Sequence, residues 1–305
     1  MLKRLVGVKP TETVADLSLL FVAIIWGSTY VIVKQTLVNT PLFSFIFMRY
    51  VLAGMFLLFF NFTRLGRIDR RLVKDGTILG VILFLGYSLQ TLGLRLIPAP
   101  IMAFTTGLYV VIVPFFQSML LKMRPHPEAL VGVVFAVIGL VFITLQDRIT
   151  VSAGIVFGIL CAFFYAAHIT LVHRFSERND FNLLTTLQLT VVAVLSFFAA
   201  WIREPYILPA TFDFQLVVAL AVTAILGTAL AFVIMISMQK YTSPTKAAII
   251  YMMESVSSIF FNYWLLHHLL TTRQYVGMSF IFLAMLLTQA GPMINLRKRQ
   301  LLKRD

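Results

Sequence analysis

Apolar residues in this chain come in long blocks, and charged residues are largely confined to the short segments between them. Ten blocks can be marked, at roughly 17–37, 42–62, 75–96, 99–121, 128–146, 152–173, 183–202, 214–239, 246–267 and 274–294. Each has membrane-crossing length, because about 20 residues at about 1.5 Å of helical rise traverse about 30 Å of hydrocarbon. The connections are too short to hold an extramembrane domain. The pattern predicts an all-α integral membrane protein with ten transmembrane helices, a single polytopic domain over residues 1–305.

Composition agrees with that picture: 60% of residues are hydrophobic and only 12% are charged. A net charge of +13 could point to nucleic acid, but the distribution of the charge argues against that partner. Basic residues concentrate in alternate connections, as the positive-inside rule requires. Lys3, Arg4 and Lys9, the cluster Arg64 to Lys74, Lys122 and Arg124, Arg174 and Arg178, Lys240 and Lys246, and the tail Arg297 to Arg304 give one side 19 Lys and Arg. The other side has 5: Lys34, Arg95, Arg148, Arg203 and Arg273. This asymmetry predicts cytoplasmic N- and C-termini, and hence an even number of spans, in the cytoplasmic (inner) membrane of a cell. The one cysteine, Cys161, can form neither an internal disulfide nor a zinc site and reads as a small hydrophobe. The first block runs past signal-peptide length and is taken as helix one.

The halves resemble each other. An offset of 139 lays Trp26 over Tyr165 and Lys34 over His173, and a slightly larger one lays Gly132 over Gly277. Five helices per half is an odd number, so the second half enters the membrane in the opposite sense. Two such units, about 15–147 and 151–294, form an inverted repeat. That organisation belongs to secondary transporters, with a substrate site near the bilayer midplane between the repeats.

Several short motifs then fall in order along the chain. They are Trp26-Gly27-Ser28-Thr29 with Lys34, Pro41 with Phe45 and Arg49, and Leu94 to Ala99 with Ala103 and Pro114. Gly227-Thr228-Ala229 and Glu254-Ser255-Val256 follow. In that order and spacing the chain resembles the EamA-like group of the drug/metabolite transporter superfamily over almost its whole length. The resemblance implies a ten-helix inverted-repeat fold that moves small metabolites, often outward. Ser255 departs from that family's usual proline, which predicts a straighter helix nine. His267-His268 and Arg124-Pro125-His126-Pro127 depart from its pattern as well.

Glu254 is the sharpest candidate: it lies about eight residues into the ninth block, near mid-membrane. A carboxylate there costs several kcal/mol unless it faces a cavity or a partner. It reads either as a proton-coupling or cation-binding group or as a glutamate that ties helices together. Ser257, Ser258 and Phe261 follow at helical spacing. Arg49, in the outer half of helix two, could grip a substrate carboxylate, pair with Glu254 or snorkel outward, and the family resemblance leans toward a structural role. Trp26, Thr29, Tyr30 and Val33 share one face of helix one. Gly86, Tyr87 and Gln90 share a face of helix three. Tyr109, His168 and Tyr251 complete the candidates for a polar pathway, with His168 read more readily as an interhelical hydrogen-bonding residue. Lys34 and Arg95 read as helix-end anchors, and Pro114 and Gly227 as hinge and packing positions.

No Walker loop, metalloprotease His-Glu pair or Ser-His-Asp grouping is present, and no metal or other cofactor is implied. The sequence reading is a secondary transporter, an exporter of small organic metabolites such as amino acids or related amphipathic compounds. A proton-coupled multidrug or organic-cation exporter is the alternative. The expected partners are a small-molecule substrate, the lipid bilayer and possible coupling protons, with a monomer or homodimer as the working unit.

Overall fold

The computed structural model describes residues 11–121, 127–144, 152–242, 244–267 and 269–301, and every regular element among them is helical. In chain order these are α1 (Glu12–Thr36), α2 (Leu42–Asn61) with a 3-10 turn (Phe62–Arg67), α3 (Arg70–Leu96), α4 (Ala99–Gly107), α5 (Tyr109–Leu121) and α6 (Pro127–Thr144). Then come α7 (Ala153–Ser176), α8 (Phe181–Arg203), α9 (Phe214–Leu220), a π-helical stretch (Ala221–Leu230) and α10 (Ala231–Gln239). The last are α11 (Pro244–Tyr251), α12 (Met253–Leu266) and α13 (Thr272–Leu301). Among the described residues, seven stretches are long and apolar enough to cross a membrane: 12–36, 42–67, 70–96, 99–120, 153–176, 181–203 and 214–239. The blocks read as the fifth, ninth and tenth are helical too, as α6, α11 with α12, and α13. Lys3, Arg4, Lys9, Lys122, Arg124, Pro125, His126, Arg148, His268, Lys303 and Arg304 lie outside the described residues.

The helices begin where a polar side chain can satisfy the free N–H groups of a first turn. The carboxylates of Asp69, Asp180 and Asp213 accept from Leu72 N (2.7 Å), Asn182 N (2.9 Å) and Leu216 N (2.7 Å). The surface reverses the soluble arrangement. Phe214 is 84% exposed and Phe59 80%, while Gln188 is 0% and Arg49 4% exposed. Apolar side chains outside and polar ones inside suit a protein solvated by lipid.

Small residues set the helix registers. A Cβ on Gly86 would meet the Tyr165 ring at 2.6 Å, and one on Gly93 would meet the Gly154 carbonyl at 3.1 Å, so α3 and α7 run antiparallel. Gly76 lies against Leu187 and Gly80 against Val191, so α3 and α8 run parallel. At one end of the α2–α8 seam, Asn61 Nδ2 donates to Thr186 (3.3 Å). At the other, the Glu204 carboxylate accepts from the Phe43 and Ser44 N–H groups, both at 2.7 Å. α2 and α8 are therefore antiparallel. Asp75, near the start of α3, is 2% exposed and takes a bidentate pair from Arg178 (2.9 and 2.6 Å) and a bond from Asn179 (2.7 Å).

Three irregularities interrupt otherwise long helices. α4 gives way to α5 at Leu108, six residues before Pro114, which lies inside α5. The proline ring removes one backbone bond and crowds the carbonyl four residues back, which loosens the turn on the N-terminal side. The discontinuity thus precedes Pro114 rather than coinciding with it. α11 gives way to α12 at Met252, so the straighter helix expected from Ser255 is not found. Ser255 N bonds back to the Met252 carbonyl (3.0 Å), and the hydroxyls of Ser257 and Ser258 donate to the carbonyls of Glu254 (3.1 Å) and Ser255 (2.7 Å). Serines bonding to carbonyls three residues back tighten and bend a helix without proline. The third irregularity is the π stretch, where Thr228 Oγ1 donates to the carbonyl of Thr223, five residues back (2.7 Å).

Candidate functional site

The breaks at Leu108 and Met252 border one chamber of about 50 Å³, and the π stretch reaches it through the bond between Trp26 and the Gly227 carbonyl. α1 contributes Trp26, Thr29 and Tyr30; α3 contributes Leu83, Tyr87 and Gln90; Tyr109 opens α5, directly after the break at Leu108. From the other half come Tyr165, His168 and Ile169 of α7, and Phe232 and Met235 of α10. Tyr251 and Glu254 stand on the two sides of the break at Met252. The chamber brings together nine residues singled out in the sequence: Trp26, Thr29, Tyr30, Tyr87, Gln90, Tyr109, His168, Tyr251 and Glu254.

Glu254 is 7% exposed and lies near the Tyr30 hydroxyl. That hydroxyl accepts from Gln90 Nε2 at 2.6 Å, and Gln90 Oε1 accepts from the Tyr165 hydroxyl at 3.2 Å. A hydrogen-bonded chain therefore runs from α1 across α3 to α7, with Glu254 of α12 near its first member. Beside it the rings are closely spaced. Trp26 stands 5.6 Å from Phe232 and 5.5 Å from Tyr251, and Tyr87 stands 5.3 Å from Tyr50 and 5.7 Å from Tyr165, centroid to centroid. Such tilted and edge-on pairs are favourable beyond the area they bury.

Trp26 is also fixed at its polar end. Its Nε1 donates to the Gly227 carbonyl at 2.9 Å. That carbonyl lies in the π stretch, where the ordinary helical partner is displaced. Arg49 uses the same feature: its Nε donates to Thr228 Oγ1 (2.7 Å) and its Nη2 reaches the Gly227 carbonyl (3.4 Å) and the Tyr87 hydroxyl (3.5 Å). The guanidinium also sits 5.1 Å from the Tyr87 ring centroid. Arg49 neither lines the chamber nor forms an ion pair with Glu254; it ties α2 to the π stretch.

Ser258 does not line the chamber, since its hydroxyl is turned to the Ser255 carbonyl. His168 Nε2 is 2.9 Å from Gln188 Oε1, an interhelical bond, while its ring is 6.2 Å from Phe232. Gly227 gives way to Thr29, whose methyl carbon would lie 2.8 Å from a Cβ there. Lys34 Nζ donates to the carbonyls of Leu94 (2.7 Å) and Ile97 (2.8 Å), and Arg95 Nη2 to that of Thr40 (3.3 Å), so both tie helix ends together. His267 caps α12 in the left-handed conformation, at φ 50°. Among the described residues no cluster of three His, Cys, Asp or Glu could hold a metal ion.

The sequence reading missed five chamber walls: Leu83, Tyr165, Ile169, Phe232 and Met235. Tyr165 carried a signal, because the repeat offset of 139 lays it over Trp26. The other four are ordinary apolar residues of ordinary apolar helices, with nothing in the sequence to distinguish them.

The sequence model of the EamA-like transporter family matches this chain twice, over residues 13–145 and 152–289. The chain belongs to that family, and so to the drug/metabolite transporter superfamily: it is a multi-pass membrane transport protein. It is 31% identical over 277 residues to an uncharacterized transporter of Archaeoglobus fulgidus, across 90% of this chain and 85% of that one. It is 24% identical over 271 residues to the uncharacterized transporter YoaV of Bacillus subtilis, across 86% of this chain and 91% of that one. A solved crystal structure of 16% identity superposes with a TM-score of 0.67 over 90% of this chain and 96% of its own, which establishes likeness of fold.

Proposed function

We propose that this protein is a ten-helix, inverted-repeat secondary transporter that moves small organic metabolites by alternating access, with the chamber as its substrate site. One observation carries the reading. Of the residues lining the chamber, seven come from 13–145 and seven from 152–289, the two stretches that each match the family model. A site shared equally between two repeats is exposed to one side or the other when the repeats exchange conformations.

Helix packing supports the inversion. α3 is antiparallel to α7, and α1 reaches α3 through α2 by short connections, so α1 and α7, the first helices of the two repeats, have opposite senses. Contacts also occur in exchangeable pairs: α3 packs on α7 as α10 packs on α1, and α12 packs on α1 as α4 and α5 pack on α7. The breaks at Leu108 and Met252 fall 144 residues apart, at matching places in the two repeats. Paired discontinuous helices at the repeat interface are the arrangement that builds transporter sites.

The basic residues of alternate connections put both termini in the cytoplasm of a cell bounded by this membrane. Efflux is the direction proposed, driven by the substrate gradient or by exchange with protons at Glu254. One chain supplies both halves of the chamber, so the monomer suffices for transport. The test is solute flux in proteoliposomes holding the purified protein, with labelled amino acids, amines and organic acids, with and without a pH gradient. Saturable flux of one class is expected. A folded protein that moves none of these classes above the rate of empty liposomes contradicts the proposal.

A further inference from the structure

The chamber has an unbalanced chemistry. Its walls hold one carboxyl group, Glu254, and no lysine or arginine. The same walls carry the rings of Trp26, Tyr30, Tyr109, Tyr165, Phe232 and Tyr251. Arg49 lies outside the walls, and its Nε and Nη2 are committed to Thr228, Gly227 and Tyr87. His168 is held by Gln188 through Nε2.

From this geometry we infer that the substrate is an organic monocation without a carboxylate, an amine or quaternary ammonium carrying an apolar or aromatic body. The inference rests on the transport reading of the chamber and adds the charge class. A cation entering this space loses its water and gains two replacements. The first is the Glu254 carboxylate. The second is the negative faces of the aromatic walls, which attract cations more strongly once desolvated. The protein already uses this attraction in its own interior, where Arg49 sits 5.1 Å from the Tyr87 centroid. The bond from Gln90 to the Tyr30 hydroxyl fixes that part of the wall before a ligand arrives.

An amino-acid zwitterion meets a different balance. Its ammonium has the same partners, but its carboxylate finds no lysine or arginine on the walls and shares the space with Glu254. A buried, unpaired anion beside a like charge is strongly disfavoured. An organic anion meets the same obstacle without the ammonium contact. The chamber thus discriminates by charge among molecules of one shape.

A matched series tests this: phenethylamine, phenylalanine and 3-phenylpropionate share one phenyl ring and differ in charged groups. Binding of each to the full-length protein in detergent is measured by calorimetry, and counterflow of each in proteoliposomes. The expected result is binding of phenethylamine at least about tenfold tighter than phenylalanine, a gap of about 1.4 kcal/mol, and no binding of phenylpropionate. Glu254→Gln should remove the amine preference, and Glu254→Asp, which keeps the charge, should retain it; a sharp size-exclusion profile shows that each variant is folded. Phenylalanine or phenylpropionate binding as tightly as the amine overturns the inference. So does the absence of amine binding by folded wild-type protein. If counterflow of another solute class persists in either case, the transport reading stands and only the charge class fails.

Discussion

Gly27 and Glu254 meet where no methyl group fits: a Cβ on Gly27 would lie 2.6 Å from the Glu254 carbonyl oxygen and closer still to Ser257 Oγ. The α1–α12 crossing is therefore set by backbone contact, and that contact fixes the height of the Glu254 side chain in the chamber. Gly27→Ala forces the two helices apart. Overpacking of this kind costs about 1–3 kcal/mol. The expected outcome is a lower thermal midpoint in detergent together with loss of transport. A variant with wild-type midpoint and flux would show that the crossing tolerates the methyl group.

Tyr30→Phe removes one hydroxyl, and Gln90 Nε2 loses its 2.6 Å acceptor. An orphaned buried polar group costs about 1–3 kcal/mol, so destabilisation of that order is expected in thermal unfolding. Flux should fall further than for Tyr109→Phe, since no hydrogen bond of the chain from Tyr30 to Tyr165 passes through Tyr109. Equal flux for the two variants would remove Tyr30 from the positioning network.

Arg49 tests the separation of structure from recognition. Arg49→Lys keeps the charge but cannot reproduce the fork that reaches Thr228 Oγ1 and the Gly227 carbonyl. Lower stability is expected, by about 1–3 kcal/mol, because charge-assisted bonds between α2 and the π stretch are lost. Relative affinities among bound solutes should stay unchanged, since Arg49 does not line the chamber. A reordered preference among solutes would place the guanidinium in the site.

At the N-terminal end of α2, the Glu204 carboxylate receives two backbone N–H bonds and the Ser44 hydroxyl, at 2.7, 2.7 and 2.8 Å. Glu204→Ala removes the cap that seats α2 on α8. A loss of about 1–2 kcal/mol is expected from the cap and its interaction with the helix dipole. The measurement is the shift in thermal midpoint, with solute selectivity unchanged.

Much of the fold was readable in the sequence because the bilayer imposes one rule on every apolar block: backbone groups must pair within the segment, so each block is a helix. Trp26, Tyr30, Gln90 and Glu254 stood out as site candidates because aromatic and polar groups in a long apolar run require partners. The irregularities were harder to read. No proline marks the break at Met252, and nothing in Ala221–Leu230 announces a π stretch that frees the Gly227 carbonyl for Trp26 and Arg49. The role of Ser258 was misread because its hydroxyl can be satisfied on its own helix. Phe232 and Met235 become chamber walls only through the rotation of α10, a tertiary property that composition does not carry. The buried pair of Asp75 with Arg178 escaped notice because Asp75 sits at the edge of a block, where charge is expected.

The central claim is that one chamber, shared by both repeats, opens to each side of the membrane in turn. It is tested most directly by a single cysteine in the chamber wall, Thr29→Cys, in a Cys161→Ser background. Membrane-impermeant thiol reagents are applied separately to right-side-out and inside-out vesicles. Alternating access predicts labelling from both faces, with each rate reduced by a bound solute. Labelling confined to one face, in protein that still carries out flux, would contradict the account.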